Sequence, residues 1–230
     1  MTISVIIPTL NEEHSLTQTL DHVATLNVAE IVVTDGGSTD RTVPLAQAFC
    51  NRMPHARVVA AARGRARQMN EGAKVCRGEI LLFLHADTLL PAQAPQLIQS
   101  ALADPKMVGG RFDVRFDHPS GWGTVISTLM NWRSRLSGIS TGDQALFVRR
   151  EVFERLGGFS NIPLMEDIEF SSRLRRAGPT QALNETVTTS FRRWDQQGPL
   201  KTILLMWTLR FLYWIGVSPS RLSRWYKAVR

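Results

Sequence analysis

Gly78-Glu79-Ile80-Leu81-Leu82-Phe83-Leu84-His85-Ala86-Asp87-Thr88 is the stretch from which the rest of the 230-residue chain can be read. Ile80 to Leu84 is an unbroken apolar run of strand length, the pattern of a strand buried on both faces of a parallel sheet. It stops at an imidazole and an acid, with Pro91 just beyond. The carboxyl ends of central strands are where open α/β sheets bind ligands. Asp87 is therefore a candidate to hold a divalent cation through hard oxygen. The competing reading is that Asp87 or Thr88 caps a helix beginning near Pro91.

The flanking sequence repeats the arrangement. Upstream, Ile3 to Ile7 is a second apolar run, ending at Pro8. Asn11 is the expected N-cap of the next helix, with Glu12 and Glu13 in its first turn, where the helix dipole favours acids. Ile31-Val32-Val33 leads into Thr34-Asp35-Gly36-Gly37-Ser38-Thr39-Asp40 and a helix through Phe49. A weaker strand over Arg57–Ala60 and a helix over Gly64–Val75 return the chain to the central run, and a helix follows over Ala92–Leu102. Strands alternating with helices through short loops predict a doubly wound, mostly parallel sheet flanked by helices. In that topology the loops bearing Glu12, Asp35 and Asp87 meet on one edge of the sheet. Three acid-bearing loops there describe a nucleotide crevice.

The second half reads differently. Val108 to Phe116 alternates like a strand with one exposed face, and Trp122 to Leu136 has helical spacing. Asp143 and Gln144 precede a strand over Ala145–Val148. A helix from Glu151 stops at Gly157-Gly158, and another opens around Pro163–Asp167 and ends at Gly178. Leu200 to Val217 is strongly apolar but interrupted by Lys201 and Arg210. Its eighteen residues reach only about 27 Å as a helix, and Arg210 near the middle disfavours insertion by about 2.5–3.5 kcal/mol. An interfacial helix with a basic, aromatic tail is expected over 200–230, against the alternative of packing on the catalytic domain or on a second subunit.

Composition sets wider limits. A 43% hydrophobic content supports a full core, and the length suits one domain with a small extension. The net charge of +7 favours anionic partners such as phosphorylated small molecules or acidic membrane. Cys50 and Cys76 have no metal-ligand spacing, and Met1 runs straight into a strand. A reduced, cytoplasmic setting without a signal peptide is expected, with association at the inner face of the membrane as an extension of it.

Taken in order, these motifs resemble the inverting glycosyltransferases of family 2, which have a GT-A fold. Ser4 to Glu13 resembles their opening strand and loop, and Glu30 to Asp40 their nucleotide-binding segment. Gly78 to Thr88 is similar to the strand bearing the DxD metal motif. Gly157-Gly158-Phe159 and Glu166-Asp167 resemble the acceptor-side loop and the helix with the catalytic acid. The short chain, with His85-Ala86-Asp87 in place of DxD and a Gly142-Asp143-Gln144 loop, also resembles a short bacterial subgroup assigned to arsenosugar biosynthesis. The resemblance implies a GT-A domain over 1–195, with a nucleotide-binding half over 1–104, an acceptor half over 105–195, and a helical extension over 196–230.

It also implies roles. Asp167 would be the general base, with Glu166 beside it on the acceptor side. Pro8, Thr9, Glu12, Asp35, Arg65, Arg67, Ala86 and Asp87 would line the nucleotide-sugar site. Asp87 would ligate Mg²⁺ or Mn²⁺, with His85, standing at the first DxD position, as a second candidate ligand or a structural residue. Asp143, Gln144, Arg193 and Trp194 would face the acceptor. Asp35 could instead close an Asx-turn, Glu12 could serve only the helix dipole, and Trp194 could be plain core. The implied partners are a nucleotide-sugar donor, UDP-linked by expectation, and a small or lipid-linked acceptor, with a homodimer as a further option. Two other functions compete. A nucleotidyltransferase would need a basic, Gly-rich loop after the first strand, where this chain has Pro8-Thr9-Leu10-Asn11-Glu12. A basic nucleic-acid- or membrane-binding module would set three acidic loops against phosphate, so no nucleic-acid partner is expected.

Overall fold

A computed structural model describes residues 1–118, 121–192, 194 and 198–228. The first half is β1 (Ile3–Thr9), α1 (Leu16–Ala24), β2 (Glu30–Asp35), α2 (Thr42–Cys50), β3 (Ala56–Ala60), α3 (Arg65–Val75) and β4 (Ile80–Phe83). The second is β5 (Thr88–Leu89), α4 (Ala94–Ala101), β6 (Gly109–Phe116), α5 (Gly121–Ser137), a 3₁₀ turn at Gly142–Gln144, β7 (Phe147–Arg149), α6 (Arg150–Arg155), α7 (Glu166–Ala177), β8 (Thr180–Thr189), α8 (Pro199–Trp214) and α9 (Pro219–Ala228). The strands form one sheet in the order β3-β2-β1-β4-β7-β6-β8-β5. β1, β2, β3 and β4 are mutually parallel, as are β6 and β8, whereas β7 runs antiparallel to both its neighbours and β5 antiparallel to β8. The expected mixed, mostly parallel sheet with flanking helices and a helical C-terminal region is present. β4 lies at the seam where direction reverses rather than inside an all-parallel sheet.

Alternation along the strands divides the core in two. Val5, Ile7, Val33 and Leu82 meet Leu16 and Leu20 of α1, Phe49 of α2 and Ile98 of α4 on one face. Ile6, Val32, Leu81 and Phe83 meet Met69 of α3, Phe153 of α6 and Phe170 of α7 on the other. Burial on both faces is why these strands read as continuous apolar runs. A third, smaller cluster joins Leu209 of α8 and Leu222 of α9 to Met165, at the start of α7.

Three local expectations are corrected. Asn11 does not cap α1, which starts at Leu16. It takes a left-handed φ of 56°, donates its N–H to Ser38 Oγ and accepts the Thr39 N–H on its side-chain oxygen, tying the β1 loop to the β2 loop. Glu12 is consequently outside the first turn of α1, and its helix-dipole reading falls. Capping by Asp87 or Thr88 falls as well: α4 begins at Ala94, while Thr88 is in β5 with its hydroxyl 2.8 Å from that of Thr189. β8 itself, Thr-Gln-Ala-Leu-Asn-Glu-Thr-Val-Thr-Thr, has no apolar run to announce it, and its register on β6 comes from tertiary pairing.

Candidate active site

The carboxyl ends of β1, β2 and β4 open on one edge, and α3 crosses beneath them. Gly64 precedes α3 at φ 135°, a conformation that favours glycine. Arg65, the first residue of α3, then points into the opening. Its charge acts on Glu12, His85, Asp87, Glu166 and Asp167. Arg65 Nε lies 4.0 Å from Glu166 Oε1. Arg67, two residues on, turns the other way and donates to Asn161 Oδ1 at 2.8 Å. Arg65 thus faces the opening, while Arg67 is tied to the loop before α7.

Several residues expected to touch ligand instead build the site's walls. Thr9 is fully buried, with its hydroxyl on Asp35 Oδ1 and Thr34 O. Asp35 accepts the N–H groups of Gly37 and Ser38 on Oδ2, each at 2.9 Å, and the Ser38 hydroxyl on Oδ1. This is the Asx-turn reading, and it leaves only the remaining carboxylate lone pairs for a base. The Ala86 carbonyl accepts Thr19 Oγ1 of α1 at 2.7 Å. Gln144, also fully buried, accepts from Ser134 and Thr141 and so clamps the 3₁₀ turn to α5. Trp194, partly buried, packs with Phe116 and Phe191. Arg193 lies outside the described residues.

Asp87 and Glu12 face each other's charge. Burial raises the Asp87 carboxyl above the usual carboxylate range, opposed by Arg65 and Arg192. Glu12 is raised by burial and then by Asp87, and Arg192 approaches it at 3.5 Å. A buried carboxylate with a second acid beside it suits a divalent cation, for which Asp87 would be the ligand. Among the described residues no three His, Cys, Asp or Glu side chains converge. Such an ion would take Asp87 from the protein and most of its other ligands from a diphosphate and water, as Mg²⁺ commonly does. His85 fits a structural role better than metal ligation through Nε2. That nitrogen is buried without a partner, and a Cβ at position 142 would stand 2.6 Å from it, so only glycine allows the approach. Burial, then the Arg65 charge, keeps the imidazole neutral.

The acidic pair opens α7. Asp167 Oδ2 accepts the Gly142 N–H and Oδ1 its own helix's Ile168 N–H, each at 2.8 Å. The carboxyl group is enclosed although the residue as a whole keeps some exposure, and burial raises its pKa against these bonds and Arg65. Pro8, Arg65, His85, Gly142 and Asp167 line a cavity of about 10 Å³, room for one water. Asp143, expected beside the acceptor, has a buried Oδ1 without a hydrogen bond and adds its charge near Asp167.

Glu166 is pushed up to about 6, by burial first and then by Asp167. An acid whose folded pKa exceeds its unfolded value favours the fold below the unfolded pKa, and that contribution is lost as pH rises through the folded one. Glu166→Gln should therefore stabilise the protein at pH 8 by on the order of 2 kcal/mol and give no gain at pH 4. Urea unfolding at the two pH values checks this, and equal effects at both would remove the burial argument.

Four neighbours of the site lacked a sequence signal. Gln68 donates to the carbonyls of Thr9 and Thr34, clasping the ends of β1 and β2. Asn70 makes a two-way bracket with the Phe159 backbone, holding the loop after Gly157-Gly158. Arg133 of α5 is half-buried with its charge on Asp143 and Asp167, and Arg192 reaches Glu12 and Asp87. The arginines were legible as charge, but only the folded chain shows which of the 27 basic residues turn inward.

This geometry agrees with what the chain resembles. The family model described as Glycosyl transferase family 2 matches residues 4–157. The chain belongs to that family. An undecaprenyl-phosphate 4-deoxy-4-formamido-L-arabinose transferase of Pseudomonas paraeruginosa is 28% identical over 93% of this chain and 68% of its own. Among solved structures, the mannosyltransferase PcManGT of Pyrobaculum calidifontis, in complex with GDP-Man and Mn²⁺, is 24% identical with a TM-score of 0.70, covering 90% of this chain and 60% of that one. S. aureus TarS residues 1–349 is 20% identical with a TM-score of 0.69, covering 83% and 60%. These two likenesses bear on the fold, which is GT-A-like as expected. The chain spans about three fifths of each structural neighbour.

Proposed function

We propose that this chain transfers a sugar, with inversion, from a nucleoside diphosphate sugar, UDP-linked by preference, to a small or lipid-linked acceptor, and that it needs Mg²⁺ or Mn²⁺. The observation that carries the reading is Arg65, which lies 4.0 Å from Glu166 and whose charge acts on both Asp87 and Asp167. One side of it suits a diphosphate and the other an acceptor hydroxyl or phosphate. In this reading Asp87 would hold the metal, whose charge would offset that of the departing diphosphate. Arg65 contacts the same diphosphate, Asp35 and Pro8 border the nucleoside, and Asp167 takes the acceptor proton as the anomeric carbon is attacked. Inversion by direct displacement needs one base and no enzyme nucleophile.

A lipid-linked acceptor is supported by the arabinose transferase relative, whose name specifies undecaprenyl phosphate. Segment 196–230 would be an extension resting at the inner membrane face; among the described residues no helix is long and apolar enough to cross a membrane. The His85-Ala86-Asp87 and Gly142-Asp143-Gln144 loops support membership of the short subgroup assigned to arsenosugar biosynthesis, for which an arsenic-bearing acceptor is the test. A panel of nucleotide sugars, read by metal-dependent hydrolysis and thermal stabilisation, should give one donor that does both with Mn²⁺ and neither with chelator. Stabilisation by duplex DNA in place of every nucleotide sugar would overturn the reading.

A further inference from the structure

α5 is built largely inside out. Alongside Ile126 and Met130, which pack on the core, it turns Gly123, Ser127, Asn131 and Ser134 inward, where Asn131 brackets the Val114 backbone with bonds of 2.9 Å and Ser134 donates to Gln144. It leaves Trp122, Val125, Leu129, Trp132 and Leu136 exposed. Their spacing of three and four residues puts them in one stripe along the helix. α8 does the same with Leu200, Leu204, Trp207, Phe211 and Trp214, the last of them 81% exposed. Of the chain's six tryptophans, all but Trp194 stand exposed, four of them on these two stripes and Trp225 on α9. Two apolar stripes of this length exceed what scattered surface residues explain.

Both helices reach the walls of the same opening. Ser134 of α5 donates to Gln144 in the turn whose Gly142 N–H meets Asp167, and Leu209 and Tyr213 of α8 pack on Met165, two residues before Asp167. α5 is also fixed in orientation: Arg135 donates to Asp113 Oδ2 at 2.8 Å and to Asn184 at 2.7 Å, so the stripe cannot roll inward without breaking a bridge to β6 and a bond to β8.

We propose that the α5 and α8 stripes form one docking surface for an anionic lipid bilayer, flanking the acceptor side of the site. Charge selects this occupant over a second copy. Segments 121–137 and 196–230 contain no Asp or Glu, while Lys201, Arg221 and Arg224 are exposed beside the α8 stripe. Stripe-to-stripe pairing of two copies would bring these cations together with no acid to answer them, whereas helical seams between copies depend on such pairs. An acidic bilayer supplies the counter-charge, and its interface is where tryptophan partitions. Exposed aromatics with basic neighbours are the composition of helices that lie in that interface. That the surface presents a lipid acceptor to Asp167 rests on the glycosyl-transfer reading; the docking itself does not.

The test uses the full chain and vesicles of phosphatidylcholine, with or without 30% phosphatidylglycerol, in a flotation assay. Wild type should float with the anionic vesicles and not with the neutral ones, with a blue shift of tryptophan emission. Trp122→Ser/Trp132→Ser/Leu136→Ser, with α8 untouched, should lower partitioning by at least about tenfold. Metal-dependent nucleotide-sugar hydrolysis and circular dichroism, followed alongside, should match wild type, so a loss of hydrolysis reports on the functional reading and not on docking. Failure of wild type to float, or flotation of the α5 variant at the wild-type level, would overturn the proposal. So would a wild-type dimer by light scattering that the α5 substitutions convert to monomer, because the stripe would then be a protein interface.

Discussion

Asp87→Ala should reduce Mn²⁺-dependent binding of a nucleoside diphosphate by at least about a hundredfold, while the weak binding seen in chelator stays as it is. The reasoning begins with the strand. β4 is buried on both faces, so the position of its carboxyl end is fixed by the core, and Asp87 follows it by four residues. Its carboxyl is raised by burial against the charges of Arg65 and Arg192, and the neighbouring Glu12 carboxyl is raised by burial and by Asp87. A divalent cation held by Asp87 would offset both effects, and loss of even an outer partner of a metal site typically costs 10–100-fold. Titration calorimetry with and without Mn²⁺ separates the terms. Asp87→Asn keeps the volume and should lose most of the metal dependence too. If Asp87→Ala bound as wild type does in Mn²⁺, the metal would be held elsewhere, and Glu12 would be the first residue to examine.

The parts of this molecule that were legible beforehand are those in which one residue type answers to one physical demand. Ile80 to Leu84 read as a strand because five apolar residues between Glu79 and His85 suit a strand's length and fall short of a helix's, and Ile80–Phe83 form β4. From three such strands in parallel, the meeting of the loops bearing Glu12, Asp35 and Asp87 followed by topology alone. What could not be read was the direction of individual side chains. Arg65 and Arg67 are two positions apart at the start of one helix, and a 200° turn about its axis sends one into the opening and the other to Asn161. Thr9 and Gln144 are polar residues in the expected places, yet their hydrogen-bonding groups are taken up within the fold. β8 was invisible because its residues suit a strand only once β6 is beside it. The stripe on α5 was present in the sequence as helical spacing, but a hydrophobic stripe ordinarily faces the core. Only the inward hydrogen bonds of Asn131 and Ser134 show that this helix is reversed.

Asp167→Asn should lower turnover by at least about a hundredfold and leave donor affinity in the presence of metal close to wild type. The carboxyl opens α7, behind a residue, Met165, held at φ 68° and packed against α8 and α9. Its two oxygens accept the N–H groups of Gly142 and Ile168, bonds that fix its orientation and favour the ionised form against the cost of burial. The remaining lone pairs can accept an acceptor proton, and transfer to such a base contributes about 10²–10⁴-fold to rate. Asparagine keeps the shape and one acceptor oxygen but cannot take the proton. Because the acid is raised by burial and coupled to Glu166, which lies near 6, the acid limb of the wild-type rate profile should fall above the ordinary carboxylate range. It belongs to the pair and not to either residue alone. Removing Arg65, which lowers both acids, should move that limb to higher pH. Steady-state rates from pH 5 to 9 on wild type, Asp167→Asn and Glu166→Gln test the assignment. Glu166→Gln should keep most of its turnover and shift the limb downward, since the higher-titrating acid of the coupled pair is gone. Normal turnover in Asp167→Asn would pass the role of base to Glu166 or Asp143. Collapse of donor binding instead would assign Asp167 to the metal side, and the division of labour across Arg65 would be wrong.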